Sequence, residues 1–161
     1  MGFSQVIAFT LTFMIALSIG LYFFAIYSKD QQVYNYYYEQ QQKLFLAQLQ
    51  TKITINSVSV SNNVLSVTVA NNGSTAIWDY SHFDVIVQYY ANVSGSEVFY
   101  LSNYVYSPTQ QPYTWYVNQE LYPTSSVTLH IYLPYPPYSN SPAVVVISTN
   151  YGPEAVWRGI I

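Results

Sequence analysis

Hydrophobic and polar positions change rhythm twice along the chain. Residues 6 to 27 are almost continuously apolar, interrupted mildly by Thr10, Thr12, Ser18 and Gly20. A helix needs about 20 mostly apolar residues to cross a bilayer core, so this run predicts a membrane anchor. Tyr22 and Tyr27 stand where an interfacial aromatic belt would begin, and Lys29 and Asp30 close the segment. From Lys29 to Gln50 there is no Gly or Pro, and Gln, Leu and Ala suit a helix. Val33, Tyr37, Leu44 and Ala47 form one stripe, with Tyr34, Tyr38, Phe45 and Leu49 beside it. These spacings predict a linker helix that continues the first. The stripe either packs on its own head or joins two copies in a short coiled coil, although no heptad is sustained for three repeats.

From Thr51 the period falls to two. "KITINSVSVSNNVLSVTVANNGSTAI" alternates apolar and polar residues around Asn-Asn and Asn-Gly turns, which reads as strands. "FDVIVQYY", "EVFYLSNYVY", "YTWYV", "VTLHIYL" and "AVVVIST" supply more. The prolines fall between these runs, where a missing backbone donor matters little. Short strands with turn signals at such spacing predict an antiparallel β-sandwich. The expected organisation is an anchor helix over 1–28, a linker helix over 29–50 and a β-sandwich domain over 51–161.

Composition narrows what this head does. Only 7% of residues are charged, against about 25% in an ordinary soluble domain; Ser, Thr, Asn, Gln and 19 tyrosines supply polarity instead. A net charge of −3 offers no basic patch and argues against nucleic acid. The absence of cysteine excludes disulfides, iron–sulfur clusters and thiolate zinc sites. Carboxylates lose their charge near pH 4 while neutral polar groups keep their hydrogen bonding, so this surface suits an acidic medium.

Catalytic signals are sparse. No Gly-rich phosphate loop, HExxH, GxSxG or CxxC occurs. "DYSHFD" holds Asp79, His82 and Asp84, ligand-type residues with no third or fourth partner at fixed spacing. His130, among apolar neighbours, is expected to be partly buried and hydrogen bonded. Asp79, Asp84, Glu97 and Glu120 are the carboxylates that would have to meet for glycoside hydrolysis. The reading is therefore of a non-enzyme that carries neither cofactor nor metal. In "FDVIVQYY", Phe83, Val85, Val87 and Tyr89 share one face and Asp84, Ile86, Gln88 and Tyr90 the other. The second face is polar enough to meet solvent, and Ile86 with Tyr90 is its candidate protein contact. Asn72-Gly73-Ser74 and Asn92-Val93-Ser94 make Asn72 and Asn92 candidate glycosylation sites.

No basic residue precedes the apolar run and no A-x-A site ends it, which favours an uncleaved anchor over a secretory signal or a processed pilin. Lys29 and Lys43 weakly favour a cytoplasmic C-terminal side, whereas the two sequons favour the outside. "MGFS", followed at once by an uncharged apolar helix and then a β-domain with "VTVANNGSTAI", resembles the archaellum protein F family. That resemblance implies an immunoglobulin-like head outside the cell, between membrane and S-layer, in the stationary part of a swimming motor. It implies S-layer protein, archaellum protein G and other motor components as partners, a homodimer through the head, and lipid contact through residues 6–28. It brings no catalytic residue. The alternatives are an archaellin- or pilin-like filament subunit, and a surface domain that binds carbohydrate through its tyrosines.

Overall fold

The computed structural model describes residues 2–161, which form two compact units, residues 2–44 and 45–161. A single α-helix, α1 (Gly2–Gln50), covers both the anchor and the linker of the sequence reading, and none of its residues is buried. Its polar interruptions are satisfied within the helix. Thr10 Oγ1 donates to the Val6 carbonyl, Thr12 Oγ1 to Ala8 and Ser18 Oγ to Met14, each at 2.8 Å. Such back-bonding is what lets hydroxyls sit in hydrocarbon without an unpaired donor.

The head has eight strands: β1 (Ile53–Ser61), β2 (Val64–Asn71), β3 (Asp84–Val93), β4 (Ser96–Tyr106), β5 (Thr114–Tyr116), β6 (Ser126–Tyr132), β7 (Pro142–Ser148) and β8 (Glu154–Ile160). Their order is β1-β2-β6-β5-β4-β3-β7-β8. Antiparallel β1-β2-β6-β5 and β4-β3-β7-β8 form the two layers, joined by a short parallel pairing of β4 with β5 at Val105–Thr114 and Tyr106–Trp115. This is the expected immunoglobulin-like sandwich.

Inward positions at period two build the core. Leu65, Val67 and Val69 of β2, Val85, Val87 and Tyr89 of β3, Leu129 and Ile131 of β6, and Val145 and Ile147 of β7 are all buried. Each aliphatic side chain of this kind stabilises the fold by roughly 1.5–3 kcal/mol. Trp115, fully buried, packs on Tyr80, Phe83 and Tyr106 with ring centroids 5.8, 6.1 and 5.1 Å away.

Two hairpins use two-residue turns. Ser61 and Val64 flank Asn62-Asn63, with Asn62 at φ 53°, and Val93 and Ser96 flank Ser94-Gly95 at φ 54° and 86°. Left-handed residues at these places match the right-handed strand twist. In β1 the register shifts between Ile55 and Ser57. This bulge explains why the apolar alternation Ile53, Ile55 resumes at Val58 instead of continuing at residue 57. Strand β8 was not among the runs expected from sequence. Its inward positions are Ala155, Trp157 and Gly159, with Glu154 and Arg158 outward, so it carries too little aliphatic alternation to stand out. His130 is exposed, correcting the expectation of partial burial: Leu129 and Ile131 take the inward positions of β6, and Ser66 Oγ lies 3.3 Å from its Nδ1.

The turn after β2 is held by close backbone approach. Asn72 N donates to the Lys52 carbonyl at 2.7 Å and Ser74 N to the Gln50 carbonyl at 2.8 Å. A Cβ on Gly73 would overlap the Gln50 carbonyl oxygen and lie 2.6 Å from Lys52 N. Both are main-chain atoms that no rotamer change moves aside. Gly73→Ala should therefore destabilise the head by about 1–3 kcal/mol, the usual penalty for overpacking. A thermal melt of the variant that overlays the parent would show that this approach is not tight.

Candidate functional site

The outer face of the β4-β3-β7-β8 layer is the first candidate surface. Alternation sends Ile86, Gln88 and Tyr90 of β3 outward, and the register places Asn103, Leu101 and Phe99 of β4 opposite them. On the other side, Val146 of β7 is paired with Ile86 and in turn with Val156 of β8. Leu101 is 59% exposed and Phe99 51%, so Ile86 is not a lone apolar side chain on a wet face. It is the centre of a patch. Tyr90 and Phe99 pack edge to face at 5.6 Å. The charges Asp84, Glu97, Glu154 and Arg158 lie outward at the strand ends or on the edge strand β8. Four strands about 4.8 Å apart, with about six residues each at 3.3 Å, frame a face on the order of 400 Å². The apolar side chains on it, interrupted by Gln88 and Asn103, form a patch inside that area, and an apolar centre with a charged margin is the anatomy of a protein interface.

The sequence singled out Ile86 and Tyr90 as a candidate contact; Phe99, Leu101, Val146 and Val156, which share that face, were not singled out. The signal was present: "VFYLSNYVY" is apolar at both parities, which a strand with one wet face does not need.

The two sequons differ in availability. Asn72 Nδ2 donates to Thr54 Oγ1 at 2.9 Å and its backbone is fixed by the turn. Asn92 ends β3 beside the Ser94-Gly95 turn, and its Oδ1 accepts from Gly95 N at 2.9 Å. Its Nδ2 has no partner among the described residues, and the side chain is exposed.

Asp79, Ser81 and His82 do meet, but not in a catalytic arrangement. Ser81 Oγ donates to Asp79 Oδ1 at 2.5 Å; Ser81 Oγ and Asp79 Oδ2 lie 3.0 and 3.1 Å from His82 Nδ1. A serine nucleophile must address Nε2 while the carboxylate holds Nδ1; here both crowd the same nitrogen. The side-chain hydrogen bond from Ser81, then the one from its backbone N–H, holds the Asp79 carboxyl below its ordinary range. The trio is an exposed loop cap. Among the described residues no group of three or more His, Asp or Glu converges as a metal site. Asp84 and Glu97 stand near opposite ends of the β3–β4 hairpin, roughly 25 Å apart at 3.3 Å per residue. That is too far for paired acid–base work.

A second surface lies where the segments after β2 and β5 come together. Ile77 and Leu121 exchange backbone hydrogen bonds at 3.0 and 2.9 Å, and Tyr80 Oη donates to the Gln119 carbonyl at 2.8 Å. The result is a groove with two lobes. One, of about 220 Å³, is lined by Trp78, Tyr106, Tyr116, Asn118, Gln119 and Glu120; the other, of about 360 Å³, shares Gln119 and Glu120 and continues along Tyr122 and Ser126. Trp78 is 66% exposed, and Tyr122 Oη donates to Glu120 Oε2 at 2.5 Å.

Three comparisons bear on this molecule. The model of the family described as conserved flagellar protein F, immunoglobulin-like domain, matches residues 49–159. Among solved structures, the archaellum periplasmic stator protein FlaG from Sulfolobus acidocaldarius is similar at 25% identity and a TM-score of 0.55, covering 68% of this chain and 99% of that one. The archaellum periplasmic stator protein complex of FlaF and FlaG from the same organism is similar at 24% identity and a TM-score of 0.55, covering 68% of this chain and 89% of that one. The archaeal flagellum of Methanospirillum hungatei strain JF1 is similar at 14% identity and a TM-score of 0.56, over 98% of this chain and 92% of that one; at this identity the likeness is one of fold. No curated protein matches the chain.

Proposed function

The chain belongs to the conserved flagellar protein F family, and from that premise we propose that it is a stationary component of an archaeal swimming motor. The observation that carries this reading is a protein F head over residues 49–159 on a chain whose helix is long and apolar enough to cross a membrane. The family is structural, and the loop trio at Asp79 adds no catalytic geometry to it. A match to protein F does not favour the filament-subunit alternative.

The physical logic is that of a fixed point. Torque needs a counter-support, or the housing turns instead of the rotor. Burying some 20 apolar residues in lipid holds a chain firmly against extraction. A fluid bilayer still lets that chain drift sideways, so the head must grip something rigid. In this reading the head faces outward and binds S-layer protein, and lipid surrounds residues 6–28. Ile86 and Tyr90, with their apolar neighbours, form the contact between two heads or between this head and a partner of the protein G type. The S. acidocaldarius stator complex holds FlaF and FlaG together, which supports a partner of that kind here. A second copy would add avidity with no new contact type. Asn92, with its free amide nitrogen, is the sequon open to glycosylation; Asn72 is tied into its turn.

Full-length protein in lipid nanodiscs, mixed with isolated S-layer sheets and pelleted at pH 3 and pH 7, tests the reading. Saturable co-sedimentation is expected. Protein that stays in the supernatant at both pH values, while remaining folded, would overturn S-layer attachment.

A further inference from the structure

We propose that the groove bounded by Trp78, Tyr116, Asn118, Gln119, Glu120 and Tyr122 is a binding site for neutral saccharides. Its chemistry selects that class by elimination. Neither lobe is lined by Lys, Arg or His, and Glu120 supplies a negative charge, so a phosphate, sulfate or acidic sugar would find no countercharge there. A wholly apolar ligand would lie against Asn118, Gln119 and Ser126, polar residues that it could displace from water without replacing their hydrogen bonds. A quaternary cation needs rings that enclose it. Here Tyr106 and Tyr116 lie side by side at 6.3 Å and 22°, and Trp78 stands open to solvent, giving platforms in place of a cage.

A pyranose meets every one of these conditions. Its C–H face is apolar and stacks on an exposed indole or phenol, while its equatorial hydroxyls both donate and accept. Carboxamides and a carboxylate are the side chains that answer such hydroxyls, since together they offer donors and acceptors at fixed angles. Aromatic side chains with polar tips serve surfaces of this mixed kind. The lobe along Tyr122 and Ser126, at about 360 Å³, lies within the range of small-molecule sites, on the order of 300–1,000 Å³; the lobe that Trp78 lines is smaller, at about 220 Å³, and serves as a stacking platform beside it.

The groove is also built in advance. Tyr106 packs on the buried Trp115 at 5.1 Å, the Ile77–Leu121 pairing fixes both walls, and the Tyr80 hydroxyl holds the Gln119 carbonyl. A preformed site gives up little freedom on binding. Trp78 belongs neither to the buried core nor to the side chains packed against it, so truncating it should leave the core intact.

The test uses full-length protein in lipid nanodiscs, which avoids sugar detergents, on an array of neutral hexose, N-acetylhexosamine and sialylated glycans. Binding to neutral glycans is expected. Trp78→Ala should weaken it at least tenfold with an unchanged melting temperature, and Trp78→Phe should restore most of it. Equal binding by Trp78→Ala, preference for sialylated glycans, full competition by choline, or Trp78-dependent capture by sugar-free lipid vesicles would each overturn the proposal. The source of the sugar is read in two further arms, S-layer sheets before and after periodate oxidation and vesicles carrying neutral glycolipid. Only the first arm rests on the S-layer reading above. Sheets that bind equally after periodate, together with no capture by glycolipid vesicles, would sink the saccharide site and leave that reading standing. Neutral-glycan binding without sheet binding would do the reverse.

Discussion

Raising the pH from 7 to 12 should lower the melting temperature of the head steeply, whereas lowering it from 7 to 3 should leave it nearly unchanged. Burial pushes the hydroxyls of Tyr80 and Tyr89 up to about 12, and that of Tyr104 further in the same direction. In the unfolded chain a tyrosine ionises near 10. Between these values the unfolded state has released protons that the folded state keeps. Stability therefore is full below pH 10 and falls as pH rises through the folded values. One unit corresponds to about 1.4 kcal/mol, and with residual solvent screening each tyrosine contributes about 1–2 kcal/mol. Three together make about 3–6 kcal/mol, a drop in melting temperature on the order of 20 °C for a domain of this size. Lys and Arg add little to this limb, since the chain has only 4 of them, and Tyr100 and Tyr122, also raised, act in the same direction.

On the acid side no carboxylate is buried among the described residues. The depressed Asp79 carboxyl adds stability only above its folded value, and it sits on an exposed loop. Melting temperatures from pH 3 to pH 12 check both limbs. Tyr104→Phe isolates the cause, since the Tyr104 hydroxyl is buried with no hydrogen-bond partner. That variant should match the parent at pH 7 and lose less at pH 11. An alkaline limb identical to the parent would show that Tyr104 is not responsible.

This division between buried tyrosine and exposed neutral polarity was only half visible in the sequence. The count of 19 tyrosines and the low charge were plain, and they pointed to acid tolerance. The alternation of β3 placed Tyr89 inward and Tyr90 outward, but Tyr80, between strands, and Tyr104, on β4, were not placed, because parity needs a strand register to acquire meaning. Register was readable for β2, β3 and β6, where aliphatic residues alternate with polar ones. It was unreadable for β4, apolar on both faces, and for β8, where Ala155 and Gly159 carry little hydrophobic signal. The same limit hid most of the two candidate surfaces. Ile86 stood out because its own strand is polar on that side. Its neighbours Leu101, Val146 and Val156 come from three other strands, up to 70 residues away in sequence. The groove at Trp78 depends likewise on the Ile77–Leu121 bridge, a pairing of single residues that no periodicity announces.

Ile86→Lys is the substitution expected to separate assembly from folding most sharply. Ile86 is 37% exposed on the outer face and contributes nothing to the buried core, so its replacement should change stability by less than about 1 kcal/mol. In an assembly through this face the effect is different in kind. Two copies related by a two-fold axis present the same patch to each other, so one substitution places two ammonium groups in one interface. Each loses water without gaining a partner, and each repels the other. Self-association measured by sedimentation velocity should weaken by at least a hundredfold, about 2.7 kcal/mol or more. Leu101→Lys, one register step away on β4, should act in the same direction, because the patch and not a single side chain makes the contact. Ser59→Lys, exposed on the other layer, should leave association unchanged. If Ile86→Lys keeps the parent's mass but loses capture of a protein G-type partner, the face joins unlike heads and the homodimer reading fails. If mass and partner capture both survive, this face is not an interface, and the apolar residues of β3 and β4 need another explanation.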